Sequence, residues 1–300
     1  MSDPVQTSGL GKRYGGRWAL QGCTLSIPAG RVVGLVGANG AGKSTLLHLI
    51  VGLLGPSAGT VTVLGEPAAS RPALLARVGF LAQDAPLYST LSVADHMRLG
   101  RKLNPGWDDA FARERIDGLG LHASQKAGQL SGGERAQVAL TLAVAKRPEL
   151  LLLDEPVAGL DPLARREFLS TLMSYVSEHR LTVVLSSHLL SDIERVCDYL
   201  IVLASSRVQL AGDAAALLAG HRLLTGPRRD LSTLPPALQV IQATQTERQT
   251  TVVVRADEPI ADPSWIISDL SLEDLVLAYL GLARDADAPH SDGRLAGKVS

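Results

Sequence analysis

Short unbroken apolar runs alternate with helix-length segments of mixed polarity over the first two-thirds of the chain. RVVGLV (31–36) reads as a buried strand, and a Gly-rich turn follows it. An apolar helix is predicted from about Lys43 to Leu54, where Gly55-Pro56 stops it. VTVL (61–64) and VGFL (78–81) have the pattern of further strands, and residues 92–120 that of helix, broken at Asn104-Pro105-Gly106. Another helix is expected from Gly132 to about Lys146, ended by Arg147-Pro148. LLLL (150–153) is continuously apolar, as expected of a strand covered on both faces in a parallel sheet. Pro162 suits a first helical position and opens a helix to about His179. TVVLSS (182–187) and YLIVLA (199–204) read as strands again. This alternation predicts an α/β layered domain.

After about Gly220 the pattern changes. The segment 226–236 (GPRRDLSTLPP) resembles a linker. Two strand-like runs follow, LQVIQA (238–243) and TTVVVR (250–255), then an acidic amphipathic helix over about Ser271 to Gly281. The expected organisation is a main domain over 1–220, a small α+β accessory subdomain over 221–283, and a disordered tail over 284–300, rich in Ala, Asp, Gly, Pro and Ser.

Composition narrows the function classes. Of 300 residues, 46% are hydrophobic and 20% charged, enough for a sizeable core. With 29 basic against 30 acidic residues there is no basic excess to grip nucleic acid. Cys23 and Cys197 lie far apart with no CxxC, which fits a reducing compartment and argues against a disulfide frame or zinc knuckle. No uninterrupted run of 18 apolar residues exists, and no apolar signal core follows Asp3, so the chain itself is not expected to span a membrane.

GANGAGKST (37–45) has the G-x-x-x-x-G-K-[ST] pattern of a phosphate-binding loop. Its glycines let successive backbone N–H groups curl toward one anion, and the following helix adds its positive end. Lys43 can reach β- and γ-phosphates, and the Ser44 hydroxyl is placed to ligate Mg²⁺. LLLLDEP (150–156) then puts Asp154 and Glu155 at the carboxyl end of a buried strand, the edge where open α/β sheets bind ligands.

A second Gly-rich turn lies far along the chain, in LSGGERAQV (130–138). Ser131 and Glu134 have capping-box spacing, but a capping box needs no pair of glycines. Ser131-Gly132-Gly133 exposes N–H groups at the positive end of a helix, a second anion-binding surface. One triphosphate is already wrapped by the first loop. The second donor set therefore makes sense if it serves the nucleotide of another copy, with two copies facing head to tail.

At this point the chain resembles the ATP-binding subunits of ABC transporters, over about residues 5–220. The resemblance rests on motifs in the family's order. It implies a P-loop ATPase core with a helical subdomain at about 84–147, ATP and Mg²⁺ as ligands, and hydrolysis by a pair of such subunits. Tyr14 in KRYGG resembles the aromatic that stacks on adenine, with Trp18 a nearby rival. Gly37, Ala38, Asn39, Gly40, Ala41, Gly42, Lys43, Ser44 and Thr45 form the Walker A loop. Gln83 resembles the Q-loop glutamine, a Mg²⁺ ligand that also senses the membrane partner. Asp154 is similar to the Walker B aspartate that holds Mg²⁺, and Glu155 to the residue that polarises water. Ser131, Gly132 and Gly133 form the signature, Asp161 lies in the D-loop, and His188 resembles the switch histidine at the γ-phosphate.

Departures are small: Glu134 stands where Gln is common, and Val157 where Thr or Ser is common. Arg135 and Gln137 are expected to face solvent or the permease. The resemblance implies an integral membrane permease as a separate chain, a second ATPase subunit, and a cytoplasmic position on the inner face of the membrane. SLEDLVLAYLG (271–281) and Asn104-Pro105-Gly106-Trp107-Asp108 look like the bacterial export branch, so an exporter ATPase is the expectation. An importer ATPase or a soluble non-transport ATPase are the alternatives.

Overall fold

A six-stranded sheet carries the main domain, in the order Arg207–Asp213, Tyr199–Ala204, Val32–Val36, Thr182–Ser187, Leu150–Asp154, Val78–Leu81. All neighbours pair in parallel except the edge strand Arg207–Asp213, which runs antiparallel to Tyr199–Ala204. The computed structural model describes residues 3–287, apart from 69–70, 232–233, 236–237, 257–259 and 261. Val32–Val36 and Leu150–Asp154 are buried at every position. Their unbroken apolar runs follow from helices covering both sheet faces, which leaves no solvated side for a polar residue. Strand register places Val36 beside Ser187 and Asp154 beside Ser186. The segments that leave these strands therefore emerge at one edge.

An antiparallel sheet, in the order Arg17–Ile27, Val5–Tyr14, Ala58–Val63, Glu66–Pro67, shares a core with the helix Lys43–Ile50. The first hairpin is absent from the sequence reading. Its register shifts after Thr7, Leu10 and Lys12, and those bulges break the two-residue alternation that marks a half-buried strand. The helix ends at Ile50, before the Gly55-Pro56 stop, and its last carbonyls are closed by the Val51 N–H.

Three helices, Val93–Leu103, Asp109–Gly118 and Gly132–Ala145, pack around a separate core that includes Val93, Ile116, Leu130 and Val138. The turn between the first two explains Asn104 to Asp108 locally. Asn104 Nδ2 donates to the Gly100 carbonyl at 2.8 Å, and Asp108 caps the next helix by accepting from Phe111 N at 2.9 Å. Trp107 lies so close to Gly100 that a Cβ there would meet its ring at 2.3 Å.

The C-terminal region is α+β, as expected. Its antiparallel sheet runs Gln239–Gln245, Gln249–Arg255, His221–Pro227, Ile266–Ser268, and the helix Leu272–Asp287 follows. Leu272, Leu275, Val276 and Tyr279 of that helix are buried in the same cluster as Leu200, Val202 and Ile241, so this region shares the main core. Each such side chain contributes roughly 1.5–3 kcal/mol of burial. The stretch 226–236 is no free linker over its described part. It starts as the end of His221–Pro227, and Leu231 and Leu234 then pack against the Trp265 cluster. The first residues of the expected tail, 284–287, are instead the last turn of the helix Leu272–Asp287, and 288–300 lie outside the described residues.

His221 joins the C-terminal sheet to its helix. It is 1% exposed, with Nε2 3.0 Å from the Tyr279 hydroxyl and Nδ1 2.6 Å from the Leu217 carbonyl. Burial is the main force holding the imidazole below the usual histidine range; Arg255 adds to this, and the Leu217 carbonyl opposes it. The unfolded chain thus binds a proton at this site more readily than the folded one. Folding stability at this site is complete above about pH 6.5 and is lost as pH falls from there toward the lower folded value. Thermal melts between pH 7.5 and 5 are expected to show that loss in the parent and a shallower dependence in His221→Gln. Parallel curves for the two proteins would exclude His221 as its source.

Candidate functional site

The nucleotide loop leaves Val32–Val36 at the sheet's carboxyl edge and enters Lys43–Ile50. Gly42 has φ +107°, and a Cβ there would lie 2.5 Å from the Ala19 carbonyl, so this turn admits only glycine. Ala41 N donates back to the Ala38 carbonyl at 3.0 Å. Lys43 is 6% exposed, and its Nζ donates to the Gly37 carbonyl at 2.8 Å.

Leu150–Asp154 delivers the two carboxylates to the same edge. Asp154 is buried, and its Oδ1 accepts from the Ser186 hydroxyl at 2.8 Å. The same Ser186 oxygen accepts the Glu155 N–H at 2.8 Å. One buried hydroxyl thereby holds both acidic residues from the neighbouring strand. Glu155 has φ +49°, a left-handed conformation that a non-glycine residue rarely adopts. That turn sends consecutive residues to different places: Asp154 down against Ser186, Glu155 across to the loop. Glu155 Oε1 lies 3.2 Å from Lys43 Nζ, and Oε2 lies 2.6 Å from His188 Nδ1. The carboxylate bridges the loop's ammonium and the imidazole.

Asn39, Gly40, Gly42, Lys43, Ser44, Thr45, Gln83, Glu155 and His188 thus line one cleft, together with Ala19 and Ala158. Gln83 reaches it from the end of the neighbouring strand Val78–Leu81, and it is exposed. Tyr14 ends its strand half exposed, with Lys12 Nζ 5.4 Å from its ring centre, and does not line this cleft. Trp18 is partly buried beside Gly11.

Ser131, Gly132, Gly133 and Asp161 line a different cleft. Ser131 and Glu134 form the reciprocal cap, with Ser131 N to Glu134 Oε2 at 2.8 Å and Glu134 N to Ser131 Oγ at 3.3 Å. Asp161 caps Pro162–His179 by accepting from Leu163 N and Ala164 N at 2.9 and 3.0 Å. A Cβ on Gly133 would meet Ala164 at 3.0 Å, so this glycine lets the two helix starts approach. Gln137, expected to face solvent or the permease, is instead buried beside this cleft, because the helix turns its face into the main core.

Ser186 was missed by sequence reasoning. Its only signal is a hydroxyl one residue before the strand's end, and its role depends on the pairing of Thr182–Ser187 with Leu150–Asp154.

A sequence profile of the ABC transporter family matches residues 20–158. The thiamine import ATP-binding protein ThiQ of Salmonella choleraesuis is 38% identical over 205 residues, covering 66% of this chain and 86% of that protein. The chain belongs to the ABC transporter family. The nickel import ATP-binding protein NikO of Rhodobacter capsulatus is 37% identical over 245 residues, covering 76% of this chain and 96% of the relative. A solved ATP-binding cassette, a dimer in a post-hydrolysis state bound to ADP and Pi, superposes with TM-score 0.62 at 25% identity, over 70% of this chain and 98% of its own. The ABC-type core hydrolyses ATP.

These relatives overturn the export-branch expectation, since both curated proteins are import ATP-binding proteins. The structure supplies the physical reason that the exporter-like stretches misled. Ser271 and Asp274 are a helix cap, with Asp274 N to Ser271 Oγ at 3.0 Å, and the apolar residues after them are core contacts. Asn104 to Asp108 is a turn between helices. Both patterns report local helix physics and carry nothing about the direction of transport.

Proposed function

We propose that this chain is the ATP-hydrolysing subunit of an importer, driving a separate membrane permease as one of a pair of such subunits. The observation that carries the importer reading is its likeness over most of their length to import ATP-binding proteins. Those two relatives are named for different cargoes, thiamine and nickel, so cargo choice belongs with the permease. Among the described residues no helix is long and apolar enough to cross a membrane. The chain then sits on the inner face of the membrane through its permease. An apolar groove between the sheet and the helical subdomain, with exposed Tyr88 and Leu103, suits the permease's cytoplasmic segment; Gln83 lies in the chain between its lining residues Ala82 and Pro86.

In this reading the loop Gly37–Thr45 wraps the triphosphate, and Tyr14 stacks on the adenine. Ser44, Gln83 and Asp154 offer only hard oxygen donors, which fits Mg²⁺. When bound, the ion neutralises charge on the β- and γ-phosphate oxygens. The γ-phosphate competes with Glu155 for the Lys43 ammonium, which leaves Glu155 paired with His188 and able to take a proton from water. His188 stabilises the phosphoryl group in transit. Ser131, Gly132 and Gly133 cover the nucleotide of the facing subunit, which explains why they line a cleft apart from the loop. Asp161 meets that subunit at the same face. Hydrolysis removes the phosphate that joins the two halves, and the pair reopens.

Deleting the gene tests the direction. Profiling of the growth medium is expected to show a solute that parent cells deplete and deletion cells leave behind, with depletion restored by the parent gene but not by Glu155→Gln. A solute that instead accumulates inside the deletion cells would make the chain an exporter and overturn the reading.

A further inference from the structure

The residues from Glu155 to Asp161 connect the two clefts: Glu155 and Ala158 line the first, Gly159, Leu160 and Asp161 the second. Just beyond, Arg165 donates from Nη2 to the Leu160 carbonyl at 3.3 Å. Its Nε faces Asp192 Oδ2 at 3.8 Å. Both atoms are buried, and neither has a hydrogen-bond partner among the described residues. A buried N–H and a buried carboxylate oxygen are each costly when left unpaired. Closing the gap by under an ångström would satisfy both. Asp192 lies on the helix Leu190–Val196, which starts two residues after His188, and Ser187 Oγ ties that junction by accepting Leu189 N at 3.0 Å.

We propose that Arg165 and Asp192 are positioning residues for hydrolysis, a latch that closes when the 159–161 turn meets a second subunit and so anchors the helix after His188, holding the imidazole where it already meets Glu155 at 2.6 Å. The inference rests on the reading of Glu155 and His188 as the reacting pair. The turn and the imidazole are otherwise separate segments that share no hydrogen bond among those described. One path between them runs along the chain through Glu155, which meets His188 at 2.6 Å; Leu160, Arg165, Asp192 and the short helix form a second, with one link left open at 3.8 Å. The acid also sits within the field of the pair. Burial is the main cause that raises the Asp192 carboxyl above its usual range; Arg165, Arg195 and His188 oppose the rise, and Glu155 adds to it.

The test is steady-state ATP hydrolysis by the full chain in four variants: Arg165→Met, Asp192→Asn, the double, and Asp192→Glu. Each neutralising variant should lower kcat about tenfold with KM for ATP unchanged, and the double should be no slower than either single. Asp192→Glu keeps the charge and reaches further, so it should retain most of the parent kcat. An unchanged kcat in Asp192→Asn, losses that multiply in the double, or a kcat loss matched by a raised KM or a lowered melting temperature would each overturn the latch. Glu155→Gln run alongside separates the two ideas. If it turns over ATP at the parent rate, the reading of the reacting pair fails. If it is inactive while Asp192→Asn is normal, only the latch fails.

Discussion

Glu155→Gln is expected to slow ATP hydrolysis by about 10²–10⁴-fold while nucleotide binding persists. The amide keeps the volume and the strained left-handed turn at φ +49°, but it takes no proton from water. It also removes the charge that lies 3.2 Å from Lys43 Nζ, where both side chains are almost wholly buried. The ammonium then keeps the Gly37 carbonyl at 2.8 Å as its nearest acceptor, and an uncompensated buried charge destabilises the fold. The phosphates of ATP repair that loss. The variant should therefore melt lower than the parent without nucleotide, and ATP should raise its melting temperature by more than it raises the parent's. Phosphate release, fluorescent-nucleotide titration and thermal melts check the three parts. Turnover at the parent rate would remove Glu155 from the role of base.

Lys43→Ala should act one step earlier, at binding. The side chain extends along the loop to the Gly37 carbonyl and ends at the edge where Glu155 waits, so its charge is held where β- and γ-phosphates arrive. Losing charge-assisted hydrogen bonds to two phosphates should weaken ATP binding about a hundredfold. Adenosine, which has no phosphate, should bind as it does to the parent. Equal weakening for both ligands would mean that the loop had collapsed. The two variants thus separate binding from chemistry: Lys43→Ala loses the complex, and Glu155→Gln keeps the complex but not its turnover.

Much of this was legible in the chain. The strands Val32–Val36, Leu150–Asp154, Thr182–Ser187 and Tyr199–Ala204 lie where apolar runs stand, because a buried parallel strand admits polar residues only at its ends, where a neighbour satisfies them as Ser186 does Asp154. The helix start at Ser131 is readable because capping is settled within four residues, and the start at Pro162 because proline suits a first helical position. Two anion-binding turns are redundant for one nucleotide, which separates the signature turn from the nucleotide loop, and they do lie on separate clefts. The first hairpin was not legible, because its bulges break the alternation that would have marked it. The exporter-like ending misled because Ser271, Asp274 and the leucines after them satisfy a cap and a core, whatever the direction of transport.

Local chemistry is what the sequence alone determined: the glycine turn ahead of Lys43, the acidic pair after four leucines, the capped helices, the family they announce. Those features depend on residues a few positions apart, whose geometry the backbone dictates. The tertiary structure decided the rest. Strand order set Ser186 under Asp154 and Glu155, and it brought His188 within 2.6 Å of a carboxylate 33 positions away in the chain. Helix packing buried Gln137 and left Arg165 facing Asp192. Contacts of this kind follow from sheet register and from which faces are covered, and no run of neighbouring residues encodes either.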